Sequence, residues 1–129
     1  MNELYKAILE LTFESFCGEI MRRGETTLEF KIKHCFHHNR REEFFVLQQT
    51  EDGLFVSDKG SALSYLDDTF ILRSPDVIRN LAIIMNHFSI RKEGNAFRSS
   101  IDLSKKISPQ IIRFLQGIHF MYTLKLFYQ

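Results

Sequence analysis

Between Glu42 and Gly60 the chain reads EEFFVLQQTEDGLFVSDKG. Two apolar runs flank Asp52-Gly53, a dipeptide in which both residues tolerate positive φ, and this predicts a two-residue hairpin turn. With that turn, Gln49 opposes Val56 and Thr50 opposes Phe55. Side chains alternate between the two faces of a strand. Phe45, Leu47, Leu54 and Val56 therefore share one face, and Phe44, Val46 and Phe55 share the other. Both faces are apolar, whereas an antiparallel sheet with one solvated face alternates apolar with polar. The hairpin must be covered twice: by helices on both sides, or by helices on one side and a partner on the other.

The flanking segments fill in the architecture. Leu28, Phe30, Ile32, His34 and Phe36 alternate with Glu29, Lys31, Lys33 and Cys35, which predicts a strand before the hairpin. The polar stretch HHNRR connects the two and completes a three-stranded antiparallel meander. Upstream, Tyr5, Leu9, Phe13, Phe16 and Ile20 recur at helical spacing, with Glu3, Lys6, Glu10 and Glu14 on the other side. This predicts an amphipathic helix over residues 3–21, capped by Asn2 and ended by Gly24. Downstream, Ala62 to Asp67 reads as a helix of one to two turns, and TFILR as a short extended piece. Ser74-Pro75 opens a further helix, with Val77, Leu81, Ile84 and Phe88 as its stripe and Ile78 and Met85 widening it. SIRKEGNAFRSSIDL reads as a second hairpin around Glu93-Gly94-Asn95. Ser108-Pro109 opens the last helix, which carries Ile111, Ile112, Leu115, Ile118 and Tyr122. The expected fold is α+β: a three-strand meander plus a second hairpin, packed by an N-terminal helix and two further helices.

A chain of 129 residues with no linker, low-complexity stretch or repeat is expected to form one domain, residues 1–129. A net charge of +1 gives no whole-chain pull toward nucleic acid or membrane. Acidic residues interrupt the N-terminal apolar pattern, so no signal peptide is expected, and no apolar run reaches the roughly 20 residues of a membrane span. Two cysteines, Cys17 and Cys35, do not make a disulfide framework. The expected location is the cytoplasm.

Candidate chemistry is sparse. Ser57, Asp58 and Gly60, in the stretch Ser-Asp-Lys-Gly, read as a structural corner: a helix cap followed by a residue that permits a tight turn. His34, Cys35, His37 and His38 are zinc-ligand types, but strand alternation puts His34 and His38 on one side and Cys35 and His37 on the other. His87 and His119 are isolated on helices, so no metal site and no cofactor is expected. Lys31, Lys33, Arg40 and Arg41 make the hairpin tip basic and could meet phosphate, although Glu42 and Glu43 blunt the field. Arg22, Arg23, Arg91 and Lys92 are further cations for such a surface. Glu29-Phe30-Lys31 is an E-x-K on a strand, the arrangement some metal-dependent nucleases use, with Glu43 the nearest additional carboxylate. Phosphate loops, nucleophile elbows and H-E-x-x-H are absent from the sequence. The ending TLKLFYQ carries Leu124, Leu126, Phe127 and Tyr128, which must either dock on the domain or serve an oligomer.

LFVSDKGSALSYL resembles the strand, Ser-Asp-x-Gly corner and short helix of a prokaryotic family known as domain of unknown function 1828. IRNLAIIMNHFSIRKEGNAF is similar to the same family's helix running into a glycine-containing hairpin. The resemblance spans Leu28 to Leu115 and departs in the long, Phe-rich hairpin, where a more polar strand pair is expected. It implies a bacterial or phage origin, proximity to mobile elements and a role in phage–host conflict as an inhibitor or accessory factor. It supplies no catalytic residues. The expected function is non-enzymatic protein binding through Phe44, Phe45, Leu47, Leu126, Phe127 and Tyr128, with a homodimer as the simplest partner arrangement. Nucleic-acid binding through the basic tip is the alternative, and a metal-dependent nuclease on Glu29 and Lys31 the third.

Overall fold

The computed structural model describes residues 18–32, 43–67 and 73–128. In chain order the elements are β1 (Gly18–Arg23), β2 (Thr27–Ile32), β3 (Glu43–Thr50), β4 (Gly53–Ser57), α1 (Ser61–Asp67), α2 (Pro75–His87), β5 (Arg91–Glu93), β6 (Ala96–Ile101) and α3 (Ile107–Tyr128). The fold is α+β. Six strands form one antiparallel sheet in the order β1-β2-β3-β4-β6-β5. The second hairpin thus joins the meander through β6, which pairs with β4.

The meander has four strands, not three. Gly18–Arg23, whose Ile20 falls on the helical stripe in sequence, pairs with β2 instead. Gly18 explains part of this, because glycine inside a helix costs about 1 kcal/mol relative to alanine. The turn after β1 supplies the rest: the Gly24 N–H donates to the Thr27 carbonyl at 2.7 Å and closes the hairpin. Residues 3–17 of the expected helix lie outside the described residues, as do Cys17, Cys35 and the segment TFIL.

The β3–β4 turn also shifts. Thr50 pairs with Gly53 and Gln49 with Leu54, so Glu51 and Asp52 occupy the turn. The Thr50 hydroxyl accepts the Asp52 N–H at 3.1 Å and fixes the turn one residue early. Leu47 opposes Val56 and Gln48 opposes Phe55. The displacement amounts to two residues along the partner strand, an even number, so each side chain keeps its expected face.

One face of the sheet is the core. Leu28, Phe30, Phe45, Leu47, Leu54, Val56, Phe97 and Ile101 point into it and are buried. Phe30 and Phe45 stack with centroids 5.7 Å apart, and Phe114 of α3 meets Phe45 edge-on at 6.2 Å. The long helix α3 packs against α1, α2 and β6. Its buried stripe is Ile107, Ile111, Phe114, Leu115, Ile118, Met121, Tyr122 and Leu124. Ile112, expected in that stripe, is 46% exposed. At about 100° per residue it is rotated out of the face centred on Ile111, Ile118 and Tyr122.

On α2, Val77 is buried and Leu81, Ile84, Met85 and Phe88 pack partly on the core, but Ile78 is exposed. Ser74-Pro75 opens α2 as expected, whereas α3 opens before Ser108. Ser74 sits at the N-cap of α2 without a side-chain hydrogen bond. Ser108 lies one residue inside α3, buried. There Gln110 closes the approach to the helix, accepting the Asp102 N–H at 2.7 Å and donating to the Asp102 and Lys106 carbonyls.

Candidate functional site

The corner is built around a carboxylate with no exposed surface. Asp58 follows β4 directly, and its own N–H donates to the Phe97 carbonyl at 3.1 Å. Its Oδ1 accepts the N–H groups of Gly60 at 2.9 Å and Phe97 at 3.0 Å. Its Oδ2 accepts the N–H of Ala62 at 3.0 Å. The Asp58 carbonyl also takes the Ser61 N–H and hydroxyl, and the Ser57 hydroxyl accepts the Lys59 N–H at 3.2 Å. Burial pushes the Asp58 carboxyl up from its ordinary value, against the downward pull of the Gly60, Phe97 and Ala62 N–H donors.

This geometry decides what the corner can do. A run of backbone N–H groups at the start of a helix attracts anions. Here Asp58 is the anion, already in place, and every donor from Lys59 to Ala62 is taken. A carboxylate held this way is a strut between β4, β6 and α1. Gly60 is part of the same device: its φ is +89°, and a Cβ there would stand 3.0 Å from the Asn95 carbonyl oxygen. Lys59 reaches its own position with φ at +58°.

Lys59 then turns outward. Its Nζ lies 2.7 Å from Glu29 Oε1. Glu29 is on β2 and Ser57 on β4, and both register with Val46 on the strand between them. The ion pair therefore bridges two strand spacings on the face away from the helices. Glu29 is engaged with Lys59 across the sheet. Glu43 ends the same strand ladder opposite Ile32. Among the described residues no three His, Cys, Asp or Glu side chains converge on a point.

The second apolar face is now accounted for in part. Arg98 of β6 lays its guanidinium over the Phe55 ring at 4.1 Å and meets Glu93 at 3.4 Å. Val46 and Phe55 are half-buried, while Phe44 is 44% exposed. Long charged side chains cover apolar surface with their stems while their heads stay in water. Arg98 thus shields Phe55, while Phe44 stays exposed on the same face. Phe45 and Leu47, expected at an interface, are wholly buried in the core, because alternation sends them under α3. The backbone of Leu126, Phe127 and Tyr128 completes α3; their side chains, with Lys33, Arg40, Arg41 and the histidine–cysteine stretch, lie outside the described residues.

Among the described residues, the cations expected at a nucleic-acid surface lie on separate strands. Arg22 and Arg23 are on β1 and Arg91 and Lys92 on β5, at opposite edges of the sheet. Five strand spacings of about 4.8 Å separate those edges by ~24 Å. A cleft of about 490 Å³ opens between α1 and the β5–β6 turn, lined by Lys59, Leu63, Ser64, Asp67, Lys92 and Asn95 among others. Sequence reasoning missed both long-range ties of the corner, Asp58 to Phe97 and Lys59 to Glu29, because no local spacing encodes a contact between distant strands. No helix among the described residues is long and apolar enough to cross a membrane. No protein-family model matches the chain, and neither curated proteins nor solved structures yield a similar one.

Proposed function

We propose that this chain is a non-enzymatic protein-binding module that docks through the outer face of β2, β3 and β4, with self-association as its simplest form. The supporting observation is Phe44, a large aromatic left 44% exposed on a face where its apolar neighbours are half-buried. Covering the exposed part of such a ring contributes less than the roughly 1.5–3 kcal/mol of full burial, and a two-fold contact buries one ring from each protomer. The Lys59–Glu29 and Arg98–Glu93 pairs would form the polar rim. The setting we propose is a bacterial cytoplasm, with a role as inhibitor or accessory factor in phage–host conflict. That setting rests on the resemblance of Leu54 to Leu66 and Ile78 to Phe97.

Light scattering on the eluting protein over a range of concentrations tests it. The native chain should give a dimer mass, and Phe44→Glu a monomer with an unchanged circular dichroism spectrum. A monomer at every concentration, with no partner retained by the native chain and lost by Phe44→Glu, would overturn the proposal. A second reading, nucleic-acid binding, draws on Arg91, which opposes Arg98 across β5–β6. It requires binding of an oligonucleotide that weakens with salt, and more weakly still after Arg91→Ala or Arg40→Ala with Arg41→Ala.

A further inference from the structure

We draw no further inference here: the strongest candidate, the cleft between α1 and the β5–β6 turn with Lys59 and Lys92 at its walls, carries nothing, because Lys59 is already paired with Glu29, Asp58 already fills the corner's anion position, and nothing in the structure shows what would occupy it.

Discussion

At the scale of single residues, Asp58 is buried and accepts three backbone N–H groups, so its replacement should be costly. Asp58→Asn keeps one acceptor oxygen but turns an NH2 group toward buried N–H donors. An unsatisfied buried donor costs about 1–3 kcal/mol, so urea unfolding should show a loss of that order, and a larger one for Asp58→Ala. The pH dependence has a defined sign. The folded carboxyl binds its proton more tightly than the unfolded one, whose ordinary value is 3.8. Its contribution to stability is therefore fully present below 3.8 and declines as pH rises through the folded value. The stability difference between the native chain and Asp58→Asn should narrow over that interval. Asp102 behaves oppositely: the Ser104 hydroxyl, then the Ser104 N–H, holds its carboxyl below the ordinary value. Its contribution is present above 3.8 and is lost as pH falls, and Ser104→Ala should move the Asp102 titration upward in a carboxyl NMR experiment. Gly60→Ala should cost more than about 1 kcal/mol, because strain at positive φ adds to the close approach of the Asn95 carbonyl.

Among the elements, α3 organises the helical layer, and its closest approach is at Gly117. A Cβ there would stand 2.5 Å from Ile90 Cδ1 and 3.0 Å from Phe88. Helix propensity favours alanine at this position by about 1 kcal/mol, but overpacking costs about 1–3 kcal/mol. Gly117→Ala should therefore destabilise the fold in thermal or urea unfolding. Ile90→Val removes the nearer obstacle, so the double variant should be more stable than the sum of the two single changes. Farther along the helix, Tyr122 meets Tyr65 edge-on at 4.9 Å and donates to the Ser61 hydroxyl at 3.2 Å, while Lys125 lies 3.9 Å over the Tyr65 ring. These contacts lock α1 to α3 directly beside the Asp58 strut. β5, by contrast, is short, exposed and charged, features that discourage edge-to-edge pairing with another sheet.

For the molecule as a whole, the outer sheet face sets the expectation. If Phe44 anchors a second copy, Phe44→Glu should abolish association, and its unfolding should no longer shift with protein concentration as the native chain's does. Much of this architecture was legible in the chain itself. Alternation at Leu28, Phe30, Phe45, Leu47, Leu54 and Val56 assigned the core face, and that assignment survived a displaced turn because strand periodicity has only two phases. Gly94-Asn95 sits in the second hairpin turn, as its sequence indicates. Amphipathic spacing located α2 and α3 but misplaced Ile78 and Ile112, since a helical stripe has soft margins and neighbours decide what its flanks touch. The switch from helix to strand at Gly18–Arg23 depended on β2 being available to satisfy its backbone groups. What the sequence determined by itself is whatever follows from local periodicity and turn chemistry: an antiparallel sheet, helices beside it, and a corner at Ser57-Asp58-Lys59-Gly60. Only the tertiary structure decided that Asp58 fastens that corner to Phe97, and that Lys59 and Arg98 lie across the outer face. Those contacts join residues 30 to 43 positions apart, as Lys59 to Glu29 and Arg98 to Phe55 show. They form where charge and burial meet in space, which no short window of sequence records.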